Sequence, residues 1–432
     1  MNSINSKNFN FFFILLPSTL IILLPLFLIS GPLLSDFSIS FCSLLFLINS
    51  YINNDLIKKY YHNKFFLIFI IFWCLMIFSS ILSDNIIYSL KTSLPYLRFG
   101  IFSLSVWYLL DNNPKFLKYF FYILVFSFII LILDGYLQFF NGKNILNYKV
   151  QGTRISSFFG DELILGSYLS RLYPLAFGLF IYYQSNKYKK YEILLLFTLF
   201  VSTEALIFLS GERVSFFLLN FSTILILILS KKYKLLRFLI TGISIIIIII
   251  ISNFSPKYKT RMIDQTLNQI VVQNVESKSN QKKIFLFSNE HEDHYKSAWR
   301  MFEDNKFFGI GTKLYRKHCN NERYKVSNFS CTTHPHNTYL QLLSENGLLG
   351  FLIIFGIFLM ITYHFIFHFF SKIIKKKIIF SDFEICLLCA IYITLWPLVP
   401  SGNFFNNWLN VIYYLPVGIL LWSYSKNDKL NL

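Results

Sequence analysis

Runs of about 20 apolar residues recur along the whole chain, and nothing else in the sequence constrains the fold as strongly. A helix of that length spans the roughly 30 Å hydrocarbon layer of a bilayer with every backbone group bonded internally. A closed membrane barrel would instead alternate apolar and polar residues over short strands. The pattern predicts an all-α polytopic membrane protein. About twelve transmembrane helices are expected, near residues 11–30, 33–51, 65–82, 95–110, 119–140, 163–183, 192–210, 214–230, 237–253, 347–370, 383–400 and 409–424. The first run is long enough to be a retained span rather than a cleaved signal. This divides the chain into an N-terminal bundle of about nine spans (1–253), a large polar loop (254–346) and a C-terminal group of about three spans (347–432).

The net charge of +18 does not point to nucleic acid, because the lysines lie in short clusters between spans. Lys58-Lys59, Lys115 with Lys118, Lys187 with Lys189-Lys190, Lys231-Lys232 with Lys234, and Lys375-Lys376-Lys377 all fall on one face. The positive-inside rule makes that face cytoplasmic. Both termini are then cytoplasmic and the large loop lies outside, in the periplasm of a bacterium.

Arginine runs against lysine. Of the nine arginines only Arg237 falls on the cytoplasmic face. Arg98, Arg171 and Arg213 lie at or inside the membrane. A guanidinium binds phosphate or carboxylate through two parallel hydrogen bonds, so the asymmetry suggests an outward-facing anion site. Asp134, Arg171 and Glu204 fall at similar depth within their spans. Charges inside spans are costly unless paired, so Arg171 is expected to pair with Glu204 or Asp134 in a structural cluster. Arg154 and Glu162, in the loop before the sixth span, are candidates to line a substrate mouth.

Within the polar loop, residues near 273–283 read as loosely structured. Tyr295 to Phe308 reads as an amphipathic helix that ends at Gly309-Ile310-Gly311. Cys319 and Cys331, with eleven residues between them, can form a disulfide in an oxidising compartment. Cys386-x-x-Cys389 sits in an apolar run and reads as two small buried residues. His334-Pro335-His336 comes just after Cys331, and Asn337 is an N-cap for a helix over Thr338–Asn346. The spacing suits no metal. A neutral imidazole at a helix start suits a general base, which makes His336 the catalytic candidate and His334 its support.

No Asp-x-Asp pair, nucleophile elbow, Gly-rich phosphate loop or nucleotide-binding domain accompanies these residues, and no cofactor is called for. The substrate must carry its own activation, as a lipid-linked diphosphate sugar does. A transporter of the repeat type would show internal repeats and helices broken at the midplane. A purely structural scaffold would leave the arginine asymmetry unexplained.

The chain resembles the O-antigen ligase and polymerase superfamily of bacterial inner-membrane proteins along nearly its whole length. The resemblance rests on His336-Asn337-Thr338-Tyr339-Leu340 with Gly347-Leu348-Leu349-Gly350, on the loop helix from Trp299 to Gly309-Ile310-Gly311, and on Arg213 just after the seventh span. It implies a metal-independent, inverting glycosyltransferase. Its donor would be an undecaprenyl-diphosphate-linked glycan, and its acceptor a hydroxyl of lipid A-core or of another glycan chain. By that resemblance His336 assists the acceptor hydroxyl and Arg213 binds the diphosphate. Many ligases carry an arginine a few residues before the loop tryptophan. Here His294-Tyr295-Lys296 stands in that place, so His294, Lys296 or Arg300 is expected to take the role. Asn337 and His334 complete the substrate-binding candidates. Ligase and polymerase remain open alternatives, and a lipid-linked glycan transporter is the rival from another class.

Overall fold

The computed structural model describes residues 9–184, 190–267, 289–374 and 377–427. The stretch 273–283, Lys187 with Lys189, and Lys375-Lys376 lie outside the described residues. Among the described residues there is no strand; two isolated bridges near residues 143–154 are the only β pairing.

A bent pair of helices, Phe11–Ile22 and Leu24–Ser30, opens the chain with a turn of 53° between them. The long helices that follow are α1 (Pro32–Ile52), α2 (Lys64–Ile81), α3 (Leu97–Asn112), α4 (Phe116–Asn141), α5 (Leu165–Gln184), α6 (Lys190–Leu209), α7 (Arg213–Leu229), α8 (Lys234–Phe254), α9 (Asn289–Asp304), α10 (Thr338–Ile373), α11 (Asp382–Thr394) and α12 (Asn407–Lys426). Six of them are long and apolar enough to cross a membrane alone, and the bent pair makes a seventh if it counts as one span. The other expected spans fall on α3, α5, α7, α11 and α12, which are helical but shorter or more polar.

Large apolar side chains stand exposed along α2 (Leu67, Ile71, Phe78), α8 (Ile245, Ile246, Ile249, Ile250) and α10 (Leu352, Leu359, Tyr363, Phe370). Surface of that kind needs lipid rather than water.

The chain groups into two compact units that do not follow sequence order. The first joins residues 1–124, 293–376 and 394–432; the second joins 125–292 and 377–393. In the first unit, α3 packs on both α1 and α12. Gly418 lets α12 approach so closely that an added Cβ would lie 2.6 Å from the Ser103 carbonyl oxygen. Tyr96, Phe404, Phe405 and Tyr414 form an aromatic cluster there, and Tyr96 donates its hydroxyl to Asn410 Oδ1 at 3.0 Å.

In the second unit, α5 packs on α7 and α6 on α8. Its polar centre corrects one expectation: Arg171 does not pair with Glu204 or Asp134. It donates to Ser167, one turn back on its own helix. Glu204 is paired with Arg237 and accepts from the Tyr173 hydroxyl at 2.8 Å. Asp134 accepts from Asn144 Nδ2, the Ile145 N–H and the Ser157 hydroxyl, fastening the loop after α4. Arg237 is the arginine that the lysine pattern leaves on the cytoplasmic face. It is only 1% exposed; from the first turn of α8 the long guanidinium reaches into the bundle, where Tyr173 and Thr223 also receive its N–H groups. A buried charge is tolerated when paired and hydrogen-bonded in this way.

Candidate active site

The first segment of α10, which His334 and His336 precede, is held at both ends. Asn337 caps α10, its Oδ1 accepting from the N–H groups of Tyr339 (3.0 Å) and Leu340 (3.1 Å), and its Nδ2 donates to the Pro397 carbonyl at 3.0 Å. Asn337 is buried and committed to these bonds. These bonds fix the helix start.

Nine residues later the helix breaks. Gly347 has φ 68° and ψ −169°, a conformation open almost only to glycine. At the break the α9–α10 connection takes over the exposed backbone groups. Ser344 O and Glu345 O accept from the N–H groups of Ile310 (2.9 Å) and Gly311 (3.0 Å), and the Leu348 N–H donates to Lys306 O at 2.7 Å. The approach is close on both sides. A Cβ at Gly347 would lie 2.3 Å from the Phe307 carbonyl, and one at Gly309 would lie 2.4 Å from the Glu345 backbone. The two glycine signals in the sequence are thus two halves of one backbone junction. Glu345 is 1% exposed. It accepts from the Tyr315 N–H and from Gln341 Nε2, which also donates to Asn403 Oδ1. Cys319 and Cys331 are bonded to each other beneath this connection.

His336 sits just before the cap with φ +55°. A left-handed backbone at a non-glycine residue costs on the order of 1 kcal/mol or more and persists only where its surroundings enforce it. The Ser401 N–H donates to His336 O at 2.8 Å. The His334 ring centroid lies 4.1 Å from that of His336, and the His294 ring 5.4 Å. His334 Nε2 is 3.2 Å from Ser401 O and its Nδ1 is 2.9 Å from the Thr333 hydroxyl. A carbonyl oxygen only accepts, so Nε2 carries the proton and Nδ1 accepts from Thr333. His334 and His294 are buried, while His336 is partly exposed. Of the three clustered imidazoles His336 is the most exposed. Among the described residues no group of three or more His, Cys, Asp or Glu is arranged to hold a metal ion.

In the second unit three arginines gather at the turn between α6 and α7. Arg154 packs against Gly211, its Cγ 2.9 Å from where a Cβ would stand, and Arg261 Nε lies 3.4 Å from Gly211 O. Arg213 begins α7 two residues on. The charges of Arg261 and Arg154 both act on Arg213. Burial lowers the pKa of Arg154, with Glu212 acting against the shift and Arg261 adding to it. Burial raises the Glu212 carboxyl. Its oxygens accept from the N–H groups of Gly166 (2.7 Å) and Ser167 (3.0 Å) at the start of α5. The result is a half-buried cluster in which guanidinium charge outweighs carboxylate, as an anion site requires.

Residues 194–355 match the family model described as O-antigen ligase.

This supports placing the chain in the O-antigen ligase superfamily. The matched stretch includes Arg213, the polar connection and His336. A search of curated proteins found no match to this chain. The family match and the apolar helices support a bacterial membrane protein with O-antigen ligase or polymerase-type glycosyltransferase activity, whose partners are in general a lipid-linked glycan and an acceptor.

Against the residues expected at a ligase-family site, the structure groups His294 and His334 with His336, and Arg154 with Arg213. Lys296 and Arg300 line a groove on α9. Glu162 is exposed; Glu212 is the carboxylate that joins the arginines. Arg261 and Glu212 were missed. Arg261 belongs to the arginine excess, but an open loop position gave no reason to choose it over its neighbours.

Proposed function

We propose that this chain is a metal-independent, inverting glycan transferase. Its donor is an undecaprenyl-diphosphate-linked glycan and its acceptor a sugar hydroxyl on lipid A-core or a related glycan. The acceptor oxygen attacks the anomeric carbon and its proton passes to His336. The bond from that carbon to the diphosphate oxygen breaks, and the electron pair leaves on the diphosphate. A base whose proton affinity lies near ambient pH serves this step well. The observation that carries the reading is His336 itself: strained, partly exposed, at a capped helix start, against two buried imidazoles. Arg213, with Arg154 and Arg261, supplies the charge that binds the diphosphate and stabilises it as it leaves. In this reading the chain spans the inner membrane about twelve times, with both termini cytoplasmic and the polar loop in the periplasm.

The test is a deletion strain complemented with wild type or His336→Ala, its surface glycans resolved on a gel. Loss of long-chain glycan with accumulation of lipid-linked polymer, unrelieved by His336→Ala, is the expected result. A core carrying one repeat unit would make the chain a polymerase. Full complementation by His336→Ala would overturn the mechanism.

A further inference from the structure

One face of α9 is used and the other is open. His294, Ser297, Ala298 and Met301 are buried; Ala298 and Met301 pack on Ile310, Leu314 and Tyr315. The opposite face carries Lys296, Trp299, Arg300 and Glu303, spaced three and four apart so that they share a side of the helix. With Tyr295 and Leu340 they line an open groove of about 420 Å³. Trp299 is 47% exposed. Its Nε1 donates to Glu303 Oε1 at 2.9 Å and its ring lies 5.2 Å from that of Phe302. Arg300 is held by the Lys325 carbonyl at 2.8 Å.

The groove adjoins the catalytic histidine through both walls. Tyr295 follows His294, whose ring neighbours His336, and Leu340 lies in the first turn of the helix that His336 precedes.

We propose that this groove is a sugar subsite, in which one pyranose ring of the glycan stacks on Trp299 while Glu303, Arg300 and Lys296 bond its hydroxyls. An indole face is electron-rich and attracts the polarised C–H groups on one face of a sugar ring. A mixed rim of one carboxylate and two cations suits a polyhydroxylated neutral ring, which both donates and accepts. It suits a phosphate poorly, because Glu303 would repel it. It suits an acyl chain poorly too, because the walls are open and charged. The proposal rests on the glycan-transfer reading above and names where the sugar beside the reacting one is held.

The ring can belong to the donor glycan or to the acceptor, so the experiment has two arms. Full-length protein in nanodiscs is titrated with polysaccharide released from its lipid by mild acid, and separately with deacylated core oligosaccharide, both from the source strain. Wild type, Trp299→Ala, Trp299→Phe and His336→Ala are compared. Trp299→Ala is expected to weaken binding of one of the two sugars by about tenfold, the upper range for loss of one aromatic contact. Trp299→Phe should retain most of the affinity, and the affected arm identifies the source of the ring. In transfer assays Trp299→Ala should raise KM for that same substrate with kcat nearly unchanged. His336→Ala should bind as wild type and transfer nothing.

Equal binding by Trp299→Ala and wild type overturns the subsite and leaves Trp299 as an anchor at the lipid headgroups. Absence of binding to either sugar by wild type overturns it as well. Normal transfer by His336→Ala would instead overturn the transferase mechanism, while a binding loss in Trp299→Ala would still stand.

Discussion

The two histidines of His334-Pro335-His336 look equivalent in the sequence and are not equivalent in the fold. The Ser401 carbonyl and the Thr333 hydroxyl engage both nitrogens of His334, and His334 is buried while His336 is partly exposed. His334→Ala removes a support from the reacting imidazole without removing the imidazole. Misplacement of that order costs up to about a hundredfold in rate, so transfer by His334→Ala should fall by roughly ten- to a hundredfold, against loss to background for His336→Ala. Complementation with quantified glycan ligation reads both. Equal inactivity of the two variants, with both proteins folded, would mean that His334 reacts too. Arg261 makes a second case. Arg261→Ala should raise KM for the lipid-linked donor, and Arg261→Lys should recover only part of it, because an ammonium cannot bond two phosphate oxygens as a guanidinium does. Donor KM unchanged in Arg261→Ala would remove Arg261 from the anion site. At this scale the sequence offers His336, Arg213 and the arginine excess as candidates. It could not show which acid paired with which base. Contacts such as Glu204 with Arg237 depend on how far a long side chain reaches across a bundle, and span depth alone does not encode that reach.

Among elements, the junction between the loop helix and α10 governs where His336 stands. Gly-x-Gly after α9 and Gly-x-x-Gly in α10 were both visible as motifs, but their meaning lies in a pairing between segments some 35 residues apart that no local pattern announces: Ile310 and Gly311 donate to Ser344 and Glu345, and Leu348 donates back to Lys306. Gly347→Ala tests it. Alanine resists φ 68°, and its methyl group would overlap the Phe307 carbonyl. The expected cost is about 2–4 kcal/mol, read as a lower unfolding midpoint of the purified protein together with lost transfer. Gly356→Ala, in the same helix with nothing within 4 Å of the added methyl, is the control. It should be neutral or slightly stabilising, since alanine is the better helix former by roughly 1 kcal/mol. If the two substitutions behave alike, the junction does not hold the helix.

For the whole molecule the question is sidedness, and contacts within each unit bear on it. The connections that the lysine rule assigns to the cytoplasm meet one another. In the first unit, Lys59 and Lys426 both pair with Asp111, at 2.7 and 3.3 Å. In the second, the Lys231 and Lys232 N–H groups donate to the Asp382 carboxylate at 2.8 and 2.7 Å. The connections assigned to the other side also meet their own kind. Ser401 bonds His336, Ser89 bonds the Thr312 carbonyl at 3.0 Å, and Arg261 reaches Gly211. These pairings are the ones that alternating spans produce, and in the twelve-span reading proposed above α3, α11 and α12 also cross, although each falls short of a span by length and hydropathy. Cysteine labelling tests it directly. Cys74 is the exposed free thiol and is first replaced by serine. Lys232→Cys and Lys325→Cys are then made separately in that background. A membrane-impermeant maleimide, applied to cells with a permeabilised outer membrane, should label position 325 and leave position 232 unreacted until the inner membrane is opened. Labelling of position 232 in closed cells would invert the orientation. The polar loop, and His336 with it, would then face the cytoplasm, where a periplasmic acceptor could not reach it.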